Sequence, residues 1–332
     1  MANFWQNKKV LITGADGFIG SHLAERIAGE GACVRAFVYY NSFDRWGWLD
    51  ETEPDLMENI EVFPGDIRDP RGVREAVKDE EIVFHLASLI AIPYSYHAPD
   101  SYVQTNIGGT LNVLNACRME EVERLVHTST SEVYGTARYV PIDEKHPLQG
   151  QSPYSATKIG ADMLAESYHR SFDLPIAIIR PFNTYGPRQS GRAVIPAILS
   201  QLLHGCSQIK LGSLHPTRDF NFIEDTVSAF LALAEADSGI GRVVNVGSGK
   251  EISIDGLVDM AFRITGKEAE VICEEERLRP EKSEVDRLLC DASLAKELTG
   301  WQPRYTLEEG LEITAHWIEG HLHTYRPRSY MI

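Results

Sequence analysis

At 332 residues with 43% apolar side chains, the chain is long enough for one large domain or two smaller ones around a full hydrophobic core, which excludes a disordered or fibrous protein. A formal net charge of −16 argues against nucleic acid or an anionic membrane surface as partner, because counterion release needs clustered lysine and arginine. No window nears the roughly 18 apolar residues of a membrane span, and the start, MANFWQNKKV, lacks a signal peptide's apolar run, so a cytoplasmic location is expected.

From Lys9 onward, short β-branched runs alternate with amphipathic helical stretches, the pattern of parallel strands joined by crossover helices. Predicted strands are KVLITG, CVRAFV, IEVFPG, EIVFHLA, RLVHTST, PIAIIRPF and RVVNVG, enough for a seven-stranded parallel, doubly wound (Rossmann) α/β sheet. After the first strand, VLITGADGFIGSHLAERI sets Gly14, Gly17 and Gly20 at the opening of a helix. There, tight turning and bare backbone N–H groups suit a pyrophosphate, whose charge the helix N-terminus also favours. The second strand runs into Tyr39, Tyr40, Asn41 and Ser42 with Arg45 nearby. No carboxylate stands where a free adenosine 2′-hydroxyl is bound, so NAD and NADP both stay open. Asp66 of GDIRD, after the third strand, either reaches the adenine edge or caps a turn.

The fifth strand ends HTSTSEVYG, which puts a carboxylate, Glu132, where an apolar strand hands over to a loop. Downstream, SPYSATKIGADMLAESYHR holds Tyr154 and Lys158 four apart on one helical face. An ammonium beside a phenol stabilises the phenolate, so the tyrosine can take a hydroxyl proton while hydride leaves the same carbon. Between Tyr185 and Phe220 the rhythm weakens, Gly and Pro punctuate, and Arg188, Arg192 and Arg218 appear, as in a substrate-facing insertion. ISIDGLVDMAFRITG predicts a helix, a charged stretch follows through Arg279, and a last helix runs from Thr306 to about Gly320. The expected division is a dinucleotide-binding domain over 1–182 that also receives about 221–250, and a smaller C-terminal substrate-binding lobe from 183–220 and 251–332. The five cysteines are scattered without paired spacing and read as free thiols; no metal site is expected.

In their order, TGADGFIG, GDIRD, VFHLAS, TNIGGT, STSEVYG, YSATK, RPFNTYGPRQ, RDFNFIEDT and VVNVGSG resemble the extended short-chain dehydrogenase/reductase family of NAD-dependent epimerases and dehydratases. YNSFDRWGWLD, YSATKIGAD, RPFNTYGPRQSGRAVIPAI and LGSLHPTRDFNFIEDT are most similar to sugar-nucleotide 4,6-dehydratases of the legionaminic-acid type, which serve cell-surface polysaccharide biosynthesis. The resemblance implies a tightly bound NAD or NADP, recycled within each catalytic cycle. Its holders would be Gly14, Asp16, Gly17, Phe18, Ile19, Gly20, Tyr39, Asn41, Ser42, Arg45, Asp66, Ile67, Leu86, Ala87, Ser88, Asn106, Thr128, Tyr154 and Lys158.

The resemblance also implies that Thr130 and Tyr154 remove the carbon-4 hydroxyl proton of a nucleoside-diphosphate N-acetylhexosamine while hydride leaves carbon 4. The ketone so formed acidifies the carbon-5 hydrogen, for which Glu132 is the base. Ser131, or Glu132 acting as a relay, would protonate the departing carbon-6 hydroxyl. Hydride return to carbon 6 would complete a 4-keto-6-deoxy sugar. Asn183, Arg192, Lys210, Arg218 and Arg279 are the candidates for holding the nucleotide, each with a solvated-surface alternative except Arg218, whose apolar neighbours disfavour an unpaired guanidinium. His85 is structural or catalytic. Decarboxylases of nucleotide-linked glucuronic acid share the Thr-Ser-Glu triplet, and 4- or 5-epimerases share the frame. A non-catalytic NAD(P) sensor would commonly lack the tyrosine or the lysine. Two long stretches, Ser101 to Arg118 and Tyr154 to Phe172, would pair in a homodimeric four-helix bundle.

Overall fold

The structure, a computed structural model, describes residues 3–326. Its twelve strands are β1 (Lys9–Thr13), β2 (Cys33–Tyr39), β3 (Ile60–Gly65), β4 (Ile82–His85), β5 (Arg124–Thr128), β6 (Ile176–Pro181), β7 (Asn183–Tyr185), β8 (Gln208–Leu211), β9 (Thr217–Phe222), β10 (Val243–Val246), β11 (Glu251–Ser253) and β12 (Glu270–Cys273). The longer helices are α1 (Phe18–Gly29), α2 (Pro70–Val77), α3 (Gly109–Met119), α4 (Pro153–Phe172), α5 (Val194–Leu203), α6 (Ile223–Glu235), α7 (Ile254–Thr265) and α8 (Leu307–Gly320).

Seven strands pair in the order β10-β6-β5-β4-β1-β2-β3, every pair parallel. β4 and β6 are buried at every residue, which is why they read as continuous apolar runs rather than alternations. Alternate residues still serve opposite layers: Val10 and Ile12 pack in the core that holds Leu23, Ile27 and Phe230, while Leu11 packs with Val83, Val113 and Leu114. α1 and α6 therefore cover one face, and α2, α3 and α4 the other. Strand order reverses between β1 and β4, and a doubly wound sheet opens its ligand crevice at the carboxyl ends of such a pair.

The strands of the large sheet fall within 9–181 and 243–246, and the strands of two small sheets, β11-β9-β7 and β12-β8, within 183–222 and 251–273. Asp219, fully buried on β9, fastens this second part to the first. Its carboxylate accepts from Ser248 N (2.8 Å), Ser248 Oγ (2.6 Å), Gly249 N (2.9 Å) and Cys290 N (3.0 Å). Four donors on one buried carboxylate meet its lone pairs without water.

Two expectations from the sequence need correction. The stretch between Tyr185 and Phe220 is more regular than its punctuation implies, because α5 (VIPAILSQLL) is buried from Ile195 through Leu202 and so lacks a polar face to mark its period. The helix expected over 252–266 starts at Ile254, since Ile252 and Ser253 pair with β9 and Ser253 Oγ then caps the helix by accepting from Gly256 N (3.1 Å). Among the described residues no helix is long and apolar enough to cross a membrane, and no cluster of His, Cys, Asp and Glu has the makings of a metal site.

Candidate active site

The glycine turn after β1 is built for close approach. Gly14 has φ +73°, and a Cβ there would lie 2.9 Å from Ala87 N; a Cβ on Gly20 would lie 2.1 Å from Gly14 O. Gly17 is the N-cap of α1 and supplies no side-chain acceptor, and the first turn carries no acid, so the leading N–H groups remain for an anion. These features fit the pyrophosphate of a dinucleotide.

At the far end of β2, Tyr39 and Tyr40 are exposed. Asn41 closes the next loop, donating to Arg45 O (2.7 Å) and accepting from Phe43 N (2.9 Å), with Ser42 between. Arg45 is largely exposed and lies 3.7 Å from Asp50. Asp66 accepts from Arg68 N (2.9 Å) and pairs with the Arg68 guanidinium (2.5 Å), which holds its carboxyl below the usual range. That is the turn-capping arrangement. Ile67 is buried and its carbonyl accepts from Asn112 Nδ2 (3.0 Å).

Beneath Leu86, Ala87 and Ser88, a buried chain fixes the histidine's form. Thr110 Oγ1 donates to Asn106 O (2.6 Å), so it accepts from His85 Nε2 (3.0 Å), and His85 Nδ1 accepts from Thr13 Oγ1 (2.9 Å). Thr13 Oγ1 in turn accepts from Leu86 N and Ala87 N, both at 3.1 Å. Burial depresses the imidazole's pKa far below its ordinary value, and a neutral His85 with both nitrogens engaged serves the scaffold. Asn106, in a π-helical stretch (Val103–Gly108), accepts from Leu89 N (2.8 Å) and donates to Leu89 O and Thr157 Oγ1 (both 3.0 Å), tying the loop after β4 to α4.

α4 begins with a reciprocal cap: Ser152 Oγ accepts from Ser155 N (3.1 Å) and Ser155 Oγ accepts from Ser152 N (3.0 Å). This sets Tyr154 in the first turn, buried edge-on to Tyr102. Burial pushes its phenol's pKa up, the neighbouring Thr130 hydroxyl pulls it down, and the charge of Glu132 raises it again. Lys158, one turn on and buried, donates to Thr128 O (2.6 Å); burial pulls its ammonium down to about 8 against the field of Asp162.

At the β5 end, Thr130 Oγ1 accepts from Glu132 N (3.2 Å), which turns the chain and leaves Ser131 and Glu132 buried. Among the described residues no loop N–H donates to the Glu132 carboxylate. It faces Arg279 Nη1 at 3.8 Å and lies within the field felt by Tyr154 and by Arg218.

Two guanidiniums meet there. Arg218, buried on β9, donates to Thr217 O (2.9 Å) and to Glu284 Oε1 (3.3 Å), and Arg279 lies 3.7 Å from the same oxygen. Glu132, Arg279, Glu284 and Arg218 thus form one ladder of alternating charge. Thr128 Oγ1 and Asn183 Oδ1 are buried polar atoms that no protein group satisfies among the described residues. Arg192 is exposed and bonded to Ser190 Oγ (3.3 Å), and Lys210 pairs with Glu274 (2.5 Å) beside β12.

Sequence reading did not single out Glu284, whose neighbours EKSEVDR carry no periodic signal. It also passed over Asp162, although Lys158 plus four on a helix is a readable spacing. Asp162 is fully buried and accepts from Ser129 Oγ (2.7 Å) and Arg180 Nη2 (2.9 Å); Arg180 also donates to Tyr134 OH (3.0 Å), which donates to Asn245 Oδ1 (2.7 Å). This network locks the strand end on both sides of Glu132.

A family model described as GDP-mannose 4,6 dehydratase matches residues 11–314. The chain is 33% identical to the low-salt glycan biosynthesis protein Agl12 of Haloferax volcanii over 91% of this chain and 96% of that one. It is 30% identical to a dTDP-glucose 4,6-dehydratase of an Actinoplanes species over 93% and 97%. Among solved structures, the UDP-glucuronic acid 4-epimerase of Bacillus cereus in complex with UDP-glucuronic acid and NAD superposes with a TM-score of 0.84 at 28% identity, covering 94% and 99% of the two chains.

Proposed function

The chain belongs to the extended short-chain dehydrogenase/reductase family of NAD-dependent nucleotide-sugar epimerases and dehydratases, and from that premise we propose that it is a nucleoside-diphosphate N-acetylhexosamine 4,6-dehydratase. The observation that carries this reading is Glu132, a buried carboxylate within the field felt by Tyr154, to which no loop N–H donates among the described residues and which faces Arg279 at 3.8 Å. The hexosamine rests on the likeness of the YNSFDRWGWLD and RPFNTYGPRQSGRAVIPAI stretches to legionaminic-type dehydratases.

A nicotinamide dinucleotide, held by the glycine turn, Thr128, Tyr154 and Lys158, supplies the hydride acceptor and later the hydride donor. Tyr154, with Thr130 bridging, takes the carbon-4 hydroxyl proton as that carbon becomes a ketone, and the Lys158 charge favours the phenolate. Glu132 then takes the acidified carbon-5 proton. The carbon-6 hydroxyl departs as water with a proton from Ser131 or returned by Glu132. Once carbon 6 has regained hydrogen, carbon 5 is reprotonated, so water is the net loss and no external oxidant enters. Asn183, Arg218 and Arg279 are the groups for the diphosphate end. A homodimer through α3 and α4 belongs to the same proposal.

One observation favours a second reading. Arg279 and Arg218 lie beside Glu132, where they would also pair with a sugar carboxylate, as a nucleotide-glucuronate decarboxylase requires. Purified protein offered UDP- and GDP-linked N-acetylglucosamine is expected to yield a product lighter by one water, with one solvent deuteron at carbon 5, by mass spectrometry. Loss of carbon dioxide from UDP-glucuronate instead would establish the decarboxylase, and isomerisation without mass change a 4-epimerase.

A further inference from the structure

Resting on the sugar-nucleotide reading above, we propose that Gln151 is a positioning residue. It fixes the 279–286 segment, which carries Arg279 and Glu284, against the turn that carries Glu132, and thereby sets the affinity for the sugar nucleotide. Three stretches distant in sequence supply this part of the site: the 130–134 turn, the start of α4 and the 279–286 segment. Gln151 joins them. It directly precedes Ser152, the N-cap of α4, in whose first turn Tyr154 lies. Its Oε1 accepts from Thr136 N (2.5 Å), just past the turn. Its Nε2 donates to Glu284 O (3.0 Å) and, at longer range, to Lys282 O (3.3 Å). One amide thus spans partners 15 and 133 residues away in the chain.

The turn is shaped around that amide. Gly135 has φ +63°, and a Cβ there would lie 2.3 Å from Gln151 Oε1, so only glycine lets the two approach. Thr136 doubles the link, since its Oγ1 donates to Glu284 O (3.3 Å) and accepts from Asp286 N (3.1 Å). The Glu284 carbonyl is therefore held by two donors, while its carboxylate faces Arg218 (3.3 Å) and Arg279 (3.7 Å). On another side, Tyr96 OH and Ser283 Oγ are hydrogen-bonded at 2.6 Å, and Tyr96 packs against the buried cluster of Ile92, Tyr102 and Tyr154.

Arg279 serves a substrate best when it already stands at its working distance from the reacting end of the site. A loosened 279–286 segment has to be ordered at the moment of binding, and that entropy is subtracted from affinity. The reacting groups have supports of their own: the Ser152–Ser155 cap holds Tyr154, and the bond from Ser129 Oγ to Asp162 (2.7 Å) holds the β5 end. Loss of the Gln151 amide is therefore felt in binding before it is felt in chemistry.

Gln151→Glu keeps an acceptor for Thr136 N but sets a carboxylate against the two carbonyls, and Gln151→Met removes both links. Each is expected to raise KM for UDP- or GDP-N-acetylglucosamine, whichever the unaltered protein dehydrates, about tenfold, with kcat within about threefold and the dinucleotide Kd within about twofold. Tyr96→Phe, which frees the segment from the other side, is expected to raise KM about threefold with the same split. Calorimetric Kd values for UDP and GDP should weaken in parallel, a readout that needs no turnover. An unchanged KM and Kd in Gln151→Met overturns the assignment. So does a fall in kcat alone, which loosening of the α4 start would give, or a Gln151→Glu protein that binds as the unaltered one does. Where Gln151→Met does not fold, Gln151→Glu and Tyr96→Phe decide by the same criteria. An unaltered protein that dehydrates neither sugar nucleotide overturns the dehydratase reading while the UDP and GDP affinities still judge Gln151; one that binds neither nucleotide overturns both.

Discussion

Within the Thr130–Tyr134 turn, backbone and side chain of Glu132 serve different ends: its N–H closes the turn on Thr130 Oγ1 (3.2 Å) while its carboxylate faces Arg279 and the reacting phenol. Glu132→Gln preserves the first function and removes the proton acceptor. Substrate is therefore expected to reduce the bound cofactor in this variant while water loss falls by about 10² or more, whereas Tyr154→Phe suppresses both signals. Dehydration at a near-normal rate by Glu132→Gln would remove the carbon-5 base from this mechanism. Lys158 makes the converse trade. Unfolded, it holds its proton to an ordinary pKa of 10.5, but folded only to about 8, because burial opposes the charge. Between those values the unfolded chain binds more protons, so this group lowers stability below about 8 and ceases to do so as pH approaches 10.5. Lys158→Met is expected to abolish turnover yet stabilise the ligand-free protein by about 2 to 3 kcal/mol at neutral pH. That advantage, measured by denaturant titration, should vanish near pH 10.5; a gain that does not depend on pH would refute the assignment.

The elements that carry these residues differ in how plainly the chain announces them. β1 with its glycine turn is announced by a β-branched run followed by Gly14, Gly17 and Gly20, and α4 by Ser-Pro ahead of a helical pattern, because both depend on neighbours in sequence. α5 hides because burial on all sides erases the period that betrays a surface helix. The charge ladder was out of reach for another reason: Arg218 and Glu284 are separated by 66 residues, and no local pattern records a contact made across three intervening strands. Asp162 lies between these cases, since its distance from Lys158 was readable but its bonds to Ser129 and Arg180 exist only once β5, β6 and α4 are side by side. Where an element's start places a reacting group, capping becomes a catalytic matter. Ser152→Ala breaks the reciprocal cap of α4 and is expected to cost about 1 kcal/mol in unfolding free energy. Because Tyr154 sits two residues beyond the cap, kcat should fall while KM for the sugar nucleotide holds; a loss confined to KM would show that the cap does not govern the phenol.

At the scale of the molecule, one side of the sheet carries more apolar surface than water tolerates cheaply. α3 and α4 pack together on that side, and Leu111, Met119, Met163 and Phe172 remain exposed along them, with Val103 just before. Arg118 lies over the Phe172 ring at 4.2 Å, which covers part of it. The opposite layer has no comparable stripe in its two helices: α1 and α6 turn their apolar residues into the sheet and contribute none of the exposed large hydrophobic side chains. A twofold axis beside α3 and α4 would bury the stripe against its own copy and assemble four helices, a self-complementary contact that closes on itself. Light scattering on the purified protein is then expected to give twice the chain mass, and Met163→Glu, which sets a charge in the middle of the seam, is expected to give the single-chain mass with an unchanged far-ultraviolet spectrum. Tyr154 and Lys158 project from the buried face of the same helix. Monomeric Met163→Glu should therefore retain dinucleotide binding but lose turnover in proportion to the loosening of α4. A dimer that survives both Met163→Glu and Leu111→Glu would place the contact elsewhere on the surface.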